Sequence, residues 1–213
     1  MKKIIFLLSM LLIISMLFTA CGSAESTDSG SENDKTDSYE EQIKDIPTDP
    51  VSVVINVQHF GEITVELYPE HAPLTVTNFL KLVDSKFYDG LTFHRIMKGF
   101  MIQGGDPKGD GTGDADETIK GEFSENGVDN PLSHTRGTIS MARGSHSMDS
   151  ASCQFFICDA DSLFLDGQYA AFGKVTEGMD VVDAIADVAV DYNSAGEKSV
   201  PINTITIESI RRK

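Results

Sequence analysis

The sequence predicts a mainly β domain, an antiparallel barrel or sandwich with two helices at its ends. Three observations carry this expectation. Apolar and polar residues alternate with period two on both sides of a short turn near residue 60. The same alternation returns near the end of the chain, and two stretches between carry apolar residues at helical spacing. Many short strands with few helices suit such an architecture, whereas a parallel sheet would need regular strand–helix alternation.

The first hairpin is written most clearly. Val51, Val53, Ile55 and Val57 alternate with Ser52, Val54, Asn56 and Gln58. After His59-Phe60-Gly61, Ile63, Val65 and Leu67 alternate with Glu62, Thr64 and Glu66. Successive strand side chains point to opposite faces, so each run offers one face to a core. Pro73 suits a first helical position, where a missing N–H costs nothing. Val76, Phe79, Leu80 and Val83 then follow at i, i+3, i+4, i+7, which gives that helix one apolar face. A second helix is expected to begin near Thr176, with Val181, Val182, Ile185 and Val188 as its apolar set. Ile205 and Ile207, alternating with Thr204, Thr206 and Glu208, predict a closing strand.

The N-terminus reads differently. Lys2 and Lys3 precede an apolar run from Ile4 to Phe18, followed by Thr19-Ala20-Cys21. The run is about 15 residues, short of the roughly 20 that span a bilayer, and the pattern is that of a secretory signal. Cys21 after Thr-Ala resembles a bacterial lipobox, in which the cysteine is lipidated and becomes the mature N-terminus. Phe18 stands where that pattern usually has leucine. One acyl chain binds membranes only marginally, at about 10⁴ M⁻¹, so a stable anchor implies more than one. Residues 22–50 hold nine acids against two lysines and few aliphatics, too little apolar surface to offset the entropy of ordering. They are expected to form a flexible tether, with Ile46-Pro47 able to pack on the domain. The expected organisation is a signal peptide over 1–20, a lipidated cysteine and acidic linker over 21–50, and a folded domain over 51–213. The destination is the outer face of the cytoplasmic membrane, with the protein held there by lipid.

A net charge of −16 argues against nucleic acid, whose phosphates need a basic patch. Cys153 and Cys158 lie five apart in a strand-like segment, which puts them on opposite faces and out of disulfide reach. Free, mostly buried thiols are expected.

The stretch FHRIMKGFMIQGGD, residues 93–106, frames one arginine, Arg95, and one glutamine, Gln103, with aromatic and sulfur side chains. Familiar chemistries do not fit it. The following GGDPKGDGTGD lacks the Gly-Lys-Ser/Thr ending that grips phosphate. Asp106, Asp110, Asp114 and Asp116 lack the order and closing glutamate of a calcium loop, and a solvated turn is expected. His59, His71, His94, His134 and His146 show no metal-ligand spacing. His94 beside Arg95 is read as a structural residue of a strand. Ser145 and Ser147 flank His146, but no nucleophile elbow exists. A second cluster, QFFICDADSLFLDGQYAAFGKV, spans 154–175; on a strand, Gln154, Phe156 and Cys158 share a face, and Phe155 points to the core.

Taken in order, FHRIMKGFMIQGGD, ISMAR at 139–143, QFFI and FLDGQYAAFGKV resemble a cyclophilin-type peptidyl-prolyl cis–trans isomerase. The likeness covers roughly Val51 to Lys213. It implies a closed eight-stranded antiparallel β-barrel capped by two α-helices, acting as a monomer without cofactor or metal. It places Arg95 as the catalytic arginine. Phe100, Met101, Phe156 and Leu165 resemble the walls of the proline pocket. Gln103 and Gln154 match polar contacts to peptide backbone, and Ala142 and Arg143 lie where backbone pairs with substrate. Phe164 and Tyr169 complete the implied set; they replace a tryptophan and a histidine of the best-known eukaryotic pattern. That tryptophan donates a hydrogen bond to cyclosporin and phenylalanine has no N–H, so the resemblance does not extend to tight binding of that drug. The implied substrates are proline-containing, unfolded or partly folded exported proteins. Two other functions are compatible with parts of the sequence: a non-catalytic proline-peptide module held at the membrane, and a solute-binding lipoprotein. An intact arginine beside a full pocket favours the enzyme over the module. Small size and no parallel βα alternation weigh against the solute binder.

Overall fold

A computed structural model describes residues 39–213. The expected signal peptide, Cys21 and the first part of the linker lie outside the described residues.

The hairpin forms as its alternation demands. β1 (Val51–Val57) pairs antiparallel with β2 (Gly61–Leu67), in register from Val51↔Leu67 to Val57↔Gly61. Val53, Ile55, Val57, Ile63, Val65 and Leu67 are all buried. Helix α1 (Pro73–Asp84) starts at Pro73 and buries Val76, Phe79, Leu80 and Val83, the expected face. Ala72 gives its first turn no side-chain cap. The carboxylate of Glu122, fully buried, takes that role by accepting from Leu74 N–H at 2.9 Å and Thr75 N–H at 2.7 Å. The same carboxylate accepts from the Tyr39 hydroxyl at 2.9 Å. The end of the acidic segment therefore packs on the domain. Its anchor is Tyr39, in a helical turn over 39–43, rather than Ile46-Pro47, of which Pro47 is exposed.

The remaining strands are β3 (Thr92–Met97), β4 (Met101–Asp106), β5 (Thr138–Met141), β6 (Phe155–Cys158) and β7 (Ala171–Glu177). Helix α2 (Met179–Ala186), the small hairpin β8 (Val190–Tyr192) and β9 (Lys198–Pro201), and β10 (Ile207–Arg212) follow. Eight strands make one antiparallel sheet in the order β10-β1-β2-β7-β5-β6-β4-β3. It curls until its edges meet, but closure is partial. β3 meets the residues just ahead of β10 through one isolated bridge, Thr92↔Thr206, with backbone bonds such as Phe93 N–H to Ile205 C=O at 3.0 Å beside it. Past that bridge, β3 has β9 against it, so no full ladder joins the edges.

Two element boundaries differ from expectation. Thr176 belongs to β7, which runs on to pair Glu177 with Thr64, and α2 begins only at Met179. Gly178 makes the change of direction at φ 87°; a Cβ there would lie 2.2 Å from the Glu62 carbonyl oxygen. Val182 and Ile185 are buried, whereas Val181 and Val188 are half-buried. The last strand starts at Ile207, and Ile205 is buried just ahead of it.

The barrel interior is packed with rings. Phe155 meets Phe79 and Tyr88 edge-on, each at 5.6 Å between centroids, a favourable aromatic geometry. Its neighbour Phe156 points the other way. With Met101, Cys158 and Leu165 it forms a second apolar cluster on the outer face of the sheet. Cys153 lies in the interior and Cys158 in this outer cluster; both are free and buried. Burial pushes their thiols up, to about 11 for Cys153 and about 12 for Cys158.

Candidate active site

Strand register assembles the site. Across β3 and β4, Arg95 faces Gln103 and Met97 faces Met101. Across β4 and β6, Gln103 faces Phe156 and Met101 faces Cys158. Directly opposed residues share a face, so three strands place a cation, an amide, two thioethers and a ring side by side. The Gly104-Gly105 pair lets β4 pass this close. Gly105 has φ 84°, and a Cβ on it would meet the Cys153 carbonyl oxygen at 2.8 Å.

Ten of the eleven barrel residues singled out in the sequence line one pocket of about 290 Å³. Its floor is Met101, Phe156 and Leu165, all buried. Phe100 and Phe164 pack at a tilt at its mouth, 5.5 Å between centroids, with Phe164 67% exposed. Tyr169 stands edge-on to Phe156 at 6.1 Å. Arg143 lies 4.9 Å from the Tyr169 ring centre and donates Nε–H to the Gln168 carbonyl at 2.9 Å. The Ala142 N–H is engaged within the protein, by the Gln154 carbonyl at 2.9 Å.

Gln154 is the residue outside this pocket. It is buried, and its amide nitrogen donates to Gly113 C=O at 2.8 Å and Gly111 C=O at 3.2 Å. Its amide oxygen accepts from Gln103 Nε2 at 2.9 Å, and Gln103 Oε1 accepts from Arg95 Nη1 at 3.2 Å. A relay thus runs from the 111–113 loop through two glutamines to the arginine. Asp106 folds that loop. It is buried rather than solvated, and its carboxylate accepts backbone N–H groups from Lys108, Asp110 and Gly111. Asp110, Asp114 and Asp116 are exposed.

Two residues of the site escaped sequence reasoning. Glu197, in the β8–β9 turn, accepts Arg95 Nε–H at 2.6 Å and Nη2–H at 2.8 Å. The arginine's hydrogen bonds hold the Glu197 carboxyl down, to about 2, so it is a carboxylate at neutral pH. His134, fully buried, lies parallel beneath Phe156 with ring centres 6.0 Å apart. Its Nδ1 lies 2.8 Å from Asp166 Oδ1 and its Nε2 3.0 Å from Ser140 Oγ. A carboxylate only accepts, so the proton sits on Nδ1 and the ring is locked as a platform. Burial lowers the His134 pKa, against the pull of Asp166, which favours the neutral ring. His94 is buried in β3, and burial lowers its pKa too.

A wider cleft of about 850 Å³ lies elsewhere, between Tyr39 and the 124–129 turn. It gathers the acids Glu40, Glu70, Glu125, Asp129 and Asp149 with His71 and Lys120, beside Ile43, Pro73 and Val128.

The site is thus a pocket with an apolar floor, rimmed by one oriented guanidinium and by the Gln103 amide. The model of the family "Cyclophilin type peptidyl-prolyl cis-trans isomerase/CLD" matches residues 52–211, nearly the whole barrel. The chain belongs to the cyclophilin-type peptidyl-prolyl cis-trans isomerase family and is an isomerase. It is 44% identical over 156 residues to peptidyl-prolyl cis-trans isomerase A of Dickeya dadantii, covering 71% of this chain and 79% of that one. It is 48% identical over 120 residues to isomerase B of Bacillus subtilis, covering 56% and 80%. With the isomerase-like 2 protein of Gibberella zeae it shares 39% over 153 residues, 71% of this chain but only 25% of that longer one. Among solved structures, a Cryptosporidium parvum cyclophilin type isomerase superimposes with TM-score 0.69 at 30% identity, over 78% of this chain and 98% of that one. A second structure of that protein, in the presence of the dipeptide Ala-Pro, gives 0.68 at 31%, over 76% and 98%.

Proposed function

We propose that this protein is a lipid-anchored isomerase on the outer face of the cytoplasmic membrane, where it speeds rotation about X-Pro bonds in exported proteins. The anchor and the location rest on Lys2, Lys3, the apolar run and Cys21. The mechanism rests on the pocket. Rotation about a peptide bond moves no proton and breaks no σ bond; its barrier, about 18–20 kcal/mol, is lost resonance. For X-Pro the two planar forms differ by only about 0.5–1 kcal/mol, yet exchange takes tens to hundreds of seconds. A catalyst need only prefer the twisted amide to both.

In the twisted state the prolyl nitrogen regains its lone pair and accepts a hydrogen bond that the planar amide cannot. Arg95 supplies the donor. A guanidinium stays charged and holds its N–H groups in one plane. Phe156, Met101 and Leu165 hold the ring, and Phe100 and Phe164 shield it from water. The relay through Gln103 and Gln154 keeps the arginine's inner edge in place. The twisted amide is less polar than the planar one, so the dry wall favours it as well. The Ala-Pro dipeptide of the Cryptosporidium structure is the kind of ligand such a pocket takes.

The observation that carries the proposal is Arg95 Nη1 lying at the pocket wall, 3.2 Å from Gln103 Oε1 and 3.9 Å from Met101 Sδ. The test is the cis–trans exchange rate of a short X-Pro peptide with the protein and with Arg95→Ala. Loss of one transition-state donor should cost about 10²–10³-fold. Full turnover by a folded Arg95→Ala protein would refute the arginine mechanism. Binding without turnover by the unsubstituted protein would favour the proline-peptide module.

A further inference from the structure

Glu197 is 102 positions from Arg95 in the chain, yet its carboxylate meets the guanidinium edge-on with two hydrogen bonds. The turn that carries it is built tightly. Asn193 Oδ1 accepts the N–H groups of Ala195 and Glu197, at 3.0 and 2.9 Å. Asn193 N–H donates to Glu197 C=O at 2.8 Å, and Gly196 takes φ 82°. Both charged side chains are about one-third exposed, 31% and 32%. A pair that exposed adds little to stability, so the fold gives weak reason for an acid against the site's arginine.

The arrangement matters for which donors remain. A guanidinium has five N–H hydrogens. Glu197 takes the one on Nε and one on Nη2, and Gln103 takes one on Nη1. The other two face thioethers, Nη2 toward Met97 Sδ at 3.3 Å and Nη1 toward Met101 Sδ at 3.9 Å. Thioether sulfur is a weak acceptor, so a substrate atom displaces it at small cost. Met101 is in the pocket floor and Met97 is not among the pocket residues. The free Nη1 hydrogen is therefore the one offered to a bound proline.

We propose that Glu197 is the positioning residue of this active site, gripping the outer edge of Arg95 so that Nη1 alone is presented to the prolyl nitrogen. This rests on Arg95 being the catalytic donor. Glu197 itself touches no reacting atom. Without the grip the side chain keeps its charge and loses its aim, and misplacement by about 1 Å can cost about 10²-fold.

The test compares Glu197→Gln, Arg95→Ala and the double variant in the full-length protein, with kcat and KM measured separately on one X-Pro tetrapeptide. The Arg95 Nε–H resonance is followed by NMR. Glu197→Gln keeps the backbone bonds of the turn, and the thermal midpoint checks the fold. The expected result is kcat lowered about 10- to 100-fold, KM within about twofold, a shifted and faster-exchanging Nε–H, and no further loss in the double variant. Unchanged or raised kcat, a defect confined to KM, or added loss in the double variant would overturn the inference. Retained turnover in Arg95→Ala would instead remove the arginine mechanism on which it stands. An inactive Arg95→Ala beside a fully active Glu197→Gln would sink the grip alone.

Discussion

Replacing Glu122 by alanine should weaken the fold far more than a surface change would. The side chain is fully buried and serves three donors: Leu74 N–H, Thr75 N–H and the Tyr39 hydroxyl. Thr75 is itself buried, so its N–H would lose its partner with no route to water, at about 1–3 kcal/mol. Leu74 is half-buried and recovers part of its bond from solvent. The charge at the start of α1 adds about 0.3–1 kcal/mol through the helix dipole. The total is about 3 kcal/mol, which for a domain of this size lowers the midpoint by roughly 6–12 °C. Glu122→Gln keeps one acceptor oxygen and should fall between. Tyr39→Phe removes one hydrogen bond to a carboxylate and should cost about 1.5 kcal/mol. Urea unfolding gives the free energies, and calorimetry the midpoints. A loss below about 1 kcal/mol in Glu122→Ala would refute the idea that this residue caps α1 and docks Tyr39.

Phe156→Ala removes the ring proposed to face the proline; KM should rise at least about tenfold, because burying that ring against substrate contributes about 1.5 kcal/mol or more. Cys153 and Cys158, with thiols at about 11 and about 12, should resist maleimide at pH 8 in the native protein and react in guanidinium. Their raised values also fix a sign: unfolding releases thiols that ionise near pH 8.5–9, so stability should decline as pH rises past that range. Cys21→Ser should move the protein from the membrane to the soluble fraction; continued retention would point to an uncleaved signal or a bound partner.

Elements with a local period were legible in the sequence. The β1–β2 hairpin and α1 carry their full apolar pattern within a dozen residues each, and their bounds agree with it. The start of α2 was misplaced because Val175-Thr176-Glu177 fits either period, and pairing with β2 decides for strand. Barrel closure involves edge strands separated by most of the chain, and no local pattern reports how far they pair. The pocket itself was legible through its motifs, since Phe155 and Phe156 divide between core and site by strand alternation alone. Gln154 lines an adjoining pocket with Gln103, Ala142 and Arg143 rather than the apolar one, because strand period gives its face but not how the 111–113 loop lies against it. Glu197 and His134 had no such signal. One is a lone acid in a polar turn, and the other reaches Asp166 and Ser140 only after the barrel has formed.

The docking of Tyr39 on Glu122 sets a leash length. With Cys21 as the proposed attachment point, Tyr39 follows 18 positions later and Val51 30 positions later. At about 3.6 Å per residue, the fully drawn reach is roughly 65 Å from Tyr39 and would be roughly 110 Å from Val51. The volume swept above a membrane scales as the cube of that radius, so docking shrinks it about fivefold and raises the local concentration of catalyst in the same proportion. For a protein anchored as proposed, unfastening Tyr39 would leave each turnover unchanged and dilute the active site over that larger volume.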